Sequence, residues 1–195
     1  MSNIRRLCVY CGSSGAVDRQ YREAASELGA RLAAAGIGLV YGGGRVGLMG
    51  IVADAVLAGG GPVIGVIPEA LATEEVAHSG LTELHVVADM HQRKALMARR
   101  ADAFLTMPGG IGTFEEFFET LSWAGLGLHR KPIGILNVAG YFDPLLALLD
   151  HAVAERFLRP DVLSLLVTST DPEALLAALR DRAPSTGPRQ RIDFA

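Results

Sequence analysis

The sequence predicts an α/β fold: a doubly wound parallel sheet of Rossmann-like type in a single domain. Short apolar runs rich in β-branched residues alternate with longer stretches of helical periodicity along nearly the whole chain. The strand runs are continuously apolar instead of alternating, as in strands covered on both faces. Strand, helix, strand repeated in this way gives right-handed crossover units and one parallel sheet.

Taken in order, the first strand is expected in "RLCVYC" (6–11) and the first helix in "DRQYREAASELGARLAAAG" (18–36). "GIGLVYG" (36–42), "GLMGIVADAVLAGG" (47–60) and "PVIGVIP" (62–68) supply the next strand, helix and strand. Residues 69–82 carry neither period and are expected to form a loop with a short helical piece. "ELHVVA" (83–88) and "MHQRKALMARRA" (90–101) follow as strand and helix, then "DAFLTMP" (102–108) and "TFEEFFETLSWAGLG" (113–127). "PIGILN" (132–137), "YFDPLLALLDHAVAERF" (141–157), "LSLLVTS" (163–169) and "DPEALLAALRDR" (171–182) complete the alternation. The domain is expected to span residues 1–180, and 181–195, mixing Pro, Gly and Arg, to be a loose tail.

Composition narrows the function classes. The 195 residues are half hydrophobic, enough for one well-buried core and tight for two domains. With 18 basic and 21 acidic residues, no basic excess points to nucleic acid or an anionic membrane surface as a partner. The opening "MSNIRRLCVYCG" has no apolar secretory core, and Gly and Pro break the apolar stretches short of a membrane span, so a cytoplasmic protein is expected. Cys8 and Cys11 are the only cysteines. They lie three apart in a strand and so point to opposite faces, which suits buried structural thiols and not a redox or zinc pair.

In doubly wound sheets the ligand sits beyond the carboxyl ends of the strands, where loops lead into helices. Three such loops are glycine-rich: "CGSSG" with Gly12 and Ser13, "GGGRVGLMG" with Gly43, Gly44 and Gly47, and "PGGIGTFEE", which follows "DAFLTM". In the third, Gly109, Gly110 and Gly112 permit positive φ and close backbone approach, and a helix beginning at Thr113 offers free N–H groups to an anion. A phosphate fits this loop; a tight strand-to-helix turn is the plainer alternative. Glu116 likewise has two readings. Thr113 and Glu116 have capping-box spacing, while a carboxylate one turn below a phosphate-binding helix tip can reach the attached sugar. Glu115 lies 100° round the helix from that aim. "GGGRVG" matches the dinucleotide fingerprint, but after the second strand and without a well-placed acid, so a mononucleotide fits better than NAD.

On "MHQRKALMARR", Arg93 shares a face with Met90, Met97 and Arg100, which makes it either a partly buried anion ligand or a snorkelling surface group. The five histidines show no ligand spacing, so no metal is expected. No serine-hydrolase signature is present. Lys94 and Lys131 are the only lysines, and Lys131 stands at the amino edge of the sheet, the wrong side for a Schiff base to a cofactor. No cofactor is expected.

Together these stretches resemble a known family. "PGGIGTFEE" is similar to P-G-G-x-G-T-x-x-E, "GGGRVGLMG" to G-G-G-x-x-G-L-M-G, and "MHQRK" to the M-H-x-R-K box of the LOG (Lonely Guy) family, the cytokinin riboside 5′-monophosphate phosphoribohydrolases. The resemblance runs from about Leu7 to Leu179. It implies hydrolysis of the N-glycosidic bond of a nucleoside 5′-monophosphate to free base and ribose 5-phosphate, with Arg93 and Glu116 as the catalytic pair. It places substrate contacts at Glu75, Arg93, Lys94, Gly110, Ile111, Gly112, Thr113, Phe114, Glu115, Glu116 and Ser122. Ile111 stands where many plant members have Tyr, and Ser122 where relatives often have Thr. The resemblance also implies a homodimer with the active-site helices near the interface. The competing class is a non-catalytic nucleotide or cofactor carrier using the same loops, which would not need Arg93 together with Glu116.

Overall fold

The structure is a computed structural model and describes residues 4–73 and 76–183. A seven-stranded sheet runs through its centre, with every pairing parallel. The strands are β1 (Arg6–Tyr10), β2 (Gly38–Tyr41), β3 (Val63–Pro68), β4 (Glu83–Val87), β5 (Ala103–Thr106), β6 (Ile133–Leu136) and β7 (Leu166–Ser169). The helices are α1 (Arg19–Ala34), α2 (Gly47–Ala58), α3 (Met90–Arg100), α4 (Ile111–Gly125), α5 (Asp143–Ala154), α6 (Pro160–Leu163) and α7 (Pro172–Arg182).

β1, β2, β3, β5 and β6 are buried on both faces, which is why their sequences show no alternation. One core packs α1, α2 and α7 on one face through Leu28, Leu32, Val52, Val56 and Leu179. The other packs α3, α4 and α5 through Met97, Phe117, Leu121 and Leu149 around Phe104. Cys8 lies in the second core and Cys11, just past β1, in the first. Both thiols are free, and burial pushes both well above the ordinary thiol range, so they are inert packing groups.

The sheet order β4-β3-β2-β1-β5-β6-β7 fixes where a ligand can sit. The chain winds outward from β1 to β4, then returns to the other side of β1 at β5. The loops after β1 and β5 therefore diverge to opposite faces and open a crevice at the carboxyl edge. They touch at its floor, where the Gly12 amide donates to the Pro108 carbonyl at 3.0 Å.

Three local departures from the sequence reading have physical causes. α4 begins at Ile111, not Thr113: Gly110 is the N-cap, and its carbonyl already accepts from Phe114. The apolar run expected as a strand from 163 opens with Leu163 closing the short helix α6, because Pro160 at a helix start turns the chain first. The expected helix over 141–157 begins only at Asp143 and ends at Ala154. Before it, a 3₁₀ turn at Val138–Gly140 holds Ala139 at φ 52° and Gly140 at φ 71°. The expected loop at 69–82 does contain a short helical piece, the 3₁₀ turn Glu69–Leu71. α7 extends to Arg182, and the tail from 184 onward lies outside the described residues. Among the described residues no helix is long and apolar enough to cross a membrane.

Candidate active site

The crevice at the carboxyl edge holds a cavity of about 430 Å³, within the range of small-molecule sites. Its polar wall is built from Gly12, Ser13, Gly42, Gly44, Gly110, Gly112 and Thr113, with Arg93 and Glu116. Its apolar wall is Val46, Met49, Ile67, Leu71, Val76, Met90 and Ile111.

The third glycine-rich loop is the anion-receptive part. As the first residues of α4, Ile111, Gly112 and Thr113 have N–H groups with no intrahelical acceptor, and the helix dipole adds partial positive charge there. None of Gly109, Gly110 and Gly112 adopts positive φ, so a left-handed turn is not what these glycines provide. A Cβ on Gly110 or Gly112 would meet nothing within 4 Å; their bareness leaves the helix tip open to a ligand. Gly109 is different. A Cβ there would collide with the Thr113 side chain and crowd the Gly12 amide. Tyr141, which sequence reasoning did not single out, donates its hydroxyl to the Gly109 carbonyl at 2.6 Å and stacks near Phe114. The "AGYF" turn after β6 was the available signal.

The second loop packs in part against the first. Leu48 and Met49, at the start of α2, direct their N–H groups to the Gly12 carbonyl at 3.0 and 3.4 Å, so that helix tip is already occupied. Gly47 sits at φ 69° with the Ser13 backbone where a Cβ would be, and Gly43 at φ 75° packs on β3. Gly43 and Gly47 do not line the cavity. The fingerprint spacing thus reflects close packing of two loops.

Arg93 and Glu116 meet across the cavity floor, an Arg93 Nη2 lying 3.4 Å from Glu116 Oε1, with both side chains buried. Helix α3 starts cleanly at the N-cap Asp89, whose carboxylate accepts from Gln92 N at 2.8 Å, and this aims Arg93 inward one turn later. Arg93 Nη1 contacts Met90 Sδ at 3.7 Å, and Nε is buried without a hydrogen-bond partner. The protein therefore does not use all the donors of Arg93, which lines the cavity. Gly42 makes the arrangement possible, since a Cβ on it would overlap Nη2. Gly42→Ala is expected to push the guanidinium off Glu116 and lower kcat/KM by about 10- to 100-fold. Because the displaced Arg93 leaves Glu116 buried without its partner, the melting temperature should also fall, more at pH 9 than at pH 6; steady-state kinetics beside a thermal melt checks both.

Glu116 is inside α4, six residues from its N-cap, so it cannot close a capping box. Only 4 % of its surface is exposed. Burial pushes its pKa up from 4.5 to about 7; Arg93 opposes this, Glu115 adds to it, Lys94 opposes and Glu119 adds. A carboxyl group poised near neutrality in a cleft is a candidate catalytic group.

The remaining expected site residues divide clearly. Lys94, Phe114, Glu115 and Ser122 do not line the cavity. Lys94 binds Glu115 and Glu119, Phe114 packs by Tyr141 and Phe142, and Ser122 is exposed on α4. Glu75 lies outside the described residues. Lys131 is at the opposite edge, where its ammonium donates to the carbonyls of Ala98 at 2.6 Å and Ala101 at 2.8 Å, at the end of α3.

The fold and site define a Rossmann-like domain with a nucleotide-sized pocket, an open helix tip and a buried acid paired with arginine. Residues 49–179 match the family model described as "Possible lysine decarboxylase". The chain is 51% identical over 183 residues to "Probable cytokinin riboside 5'-monophosphate phosphoribohydrolase LOGL2" of Oryza sativa subsp. japonica, covering 94% of this chain and 75% of that one. It is 48% identical to "Cytokinin riboside 5'-monophosphate phosphoribohydrolase LOG1" of Arabidopsis thaliana, covering 94% and 86%. The chain belongs to the LOG family. Among solved structures, the molybdenum cofactor binding protein of Rippkaea orientalis superposes with a TM-score of 0.70 at 18% identity, covering 92% of this chain and 97% of that one. That likeness is one of fold alone.

Proposed function

We infer that this protein hydrolyses the N-glycosidic bond of an adenine-type nucleoside 5′-monophosphate, releasing free base and ribose 5-phosphate. The observation that carries the reading is the buried Arg93–Glu116 pair set in one cavity with the open tip of α4. A carrier has no use for a buried acid poised near neutrality, and the half-identical relatives are named as phosphoribohydrolases of cytokinin riboside 5′-monophosphate.

The phosphate binds the free N–H groups of Ile111, Gly112 and Thr113, and the apolar wall of Met49, Ile67, Leu71, Val76 and Met90 takes the flat base. Binding energy at these two ends holds C1′ over Glu116. As the C1′–N9 bond breaks, its electron pair leaves with the base and positive charge develops on the ribose. Ionised Glu116 stabilises that charge and accepts a proton from the attacking water, whose oxygen bonds to C1′. The proton gained balances the one the departing base must acquire. Arg93 holds Glu116 turned toward the sugar and favours its ionised form.

The protein is further proposed to be cytoplasmic and a homodimer. Exposed Leu84 and Val86 on the edge strand β4, and Phe118 on α4, are the apolar groups that a second copy would cover. Incubation with AMP and with N6-isopentenyl-AMP, followed by chromatography, tests the activity and ranks the substrates. Equimolar free base and ribose 5-phosphate are expected. Bound but intact nucleotide would instead support the carrier.

A further inference from the structure

α3 carries two consecutive cations, Arg93 and Lys94, and α4 three acids within two turns, Glu115, Glu116 and Glu119. Consecutive helical residues point 100° apart, so the two helices engage through two separate pairings. Arg93 meets Glu116 in the cavity floor, while Lys94 reaches the flank of α4 and binds Glu115 and, at 2.9 Å, Glu119. The Lys94 side chain is only 7% exposed and that of Glu119 25%, against 49% for Glu115. Solvent therefore screens the Lys94–Glu119 contact least of the two. A slip of α3 along α4 breaks both pairings at once.

We propose that Lys94 is a positioning residue for the proposed hydrolysis, neutralising Glu115 and Glu119 so that Glu116 stays ionised and in register with Arg93. Glu119 thereby gains a role as the acid that anchors Lys94. Without Lys94, three carboxylates would share one cation, and the most buried of them, Glu116, would be the one to take up a proton. The other groups around Glu116 are Cys8 and Tyr10 on β1 and Cys11 after it; burial holds all three in their neutral forms, so they add no charge. Burial pulls the Lys94 pKa down, but Glu115 and Glu119 more than offset this, and the net shift is upward. Lys94 is a fixed positive charge throughout the working range. Its effect on Glu116 opposes that of Glu119.

The inference rests on the functional reading above, but its test needs no turnover. In protein labelled with 13C at the glutamate carboxyl, the Glu116 signal is assigned by its loss in Glu116→Gln and titrated without substrate. Lys94→Met is expected to raise the midpoint by on the order of one pH unit. Glu119→Gln, which removes a negative charge that raises the Glu116 pKa, should lower it, and the double variant should fall between the two. The acid limb of kcat/KM should move with each. A Lys94→Met midpoint equal to the parent's would overturn the proposal: a lower melting temperature alone would then mean a structural brace, and a raised KM alone a substrate contact. If Lys94→Met does not fold, an unmoved midpoint in Glu119→Gln overturns it equally. Shifted midpoints without base release would leave the electrostatic coupling standing and remove the hydrolase instead.

Discussion

Glu116→Gln is expected to lower base release at pH 8 by at least about 1000-fold while AMP binding stays within a few-fold of the parent's. Gln keeps the shape of the side chain but can neither accept the water proton nor balance charge on the ribose. The phosphate and base contacts proposed above lie elsewhere in the cavity, so affinity should survive. Isothermal titration of AMP beside single-turnover base release separates the two. Loss of binding together with turnover would mean that Glu116 maintains the cavity's shape only.

The same residue fixes two pH dependences. In the free enzyme, kcat/KM should rise as pH increases through about 7, because the proposed mechanism uses the ionised form. Stability runs the other way. The native pKa is raised from 4.5, so between 4.5 and about 7 the folded state holds a proton that the unfolded chain has released. That contribution is complete below 4.5 and is lost as pH rises through about 7. Its full size is on the order of 3 kcal/mol. Glu116→Gln should lack this slope, so the difference in melting temperature between variant and parent should shift in the variant's favour from pH 5 to pH 8.

Arg93→Met is the second large effect, with kcat/KM at pH 7 expected to fall by about 100- to 1000-fold. Arg93 is the leading influence that holds the Glu116 pKa down; without it burial acts unopposed except by Lys94, and Glu116 stays protonated at neutral pH. Activity should therefore recover in part toward pH 9, where the carboxylate is restored but its orienting partner is not. The melting temperature should drop more at pH 9 than at pH 6, since an ionised Glu116 without Arg93 is an uncompensated buried charge. A uniform loss of rate at every pH would place Arg93 on the substrate alone.

The fold was legible because its strands are buried on both faces and its helices are amphipathic, signals carried within each segment. "LCVYC" and "AFLT" needed no tertiary information to be read as core strands. Helix α6 was missed because four residues opened by Pro160 are too few to show a period. The site was legible as far as glycine and helix-start chemistry reach, which covers the open tip of α4. Partnerships between distant elements were not, apart from the Arg93–Glu116 pair, which came only from the family resemblance. That α2 spends its first amides on Gly12, that Gly42 makes room for Arg93, and that Lys94 faces Glu119 and not the cavity all depend on how separate loops and helices pack. The apolar wall of Ile67, Leu71 and Val76 was likewise hidden, because those side chains share no motif and gather only at the crevice.

In the proposed reaction, a phosphate held at the tip of α4 directs glycosidic cleavage at Glu116. The most direct test compares kcat/KM for AMP and for adenosine, which differ only in that phosphate. Base release from AMP is expected to be at least about 1000-fold more efficient than from adenosine, because the anchoring energy is used in the transition state. Equal cleavage of the two, or bound AMP that is never cleaved, would contradict it.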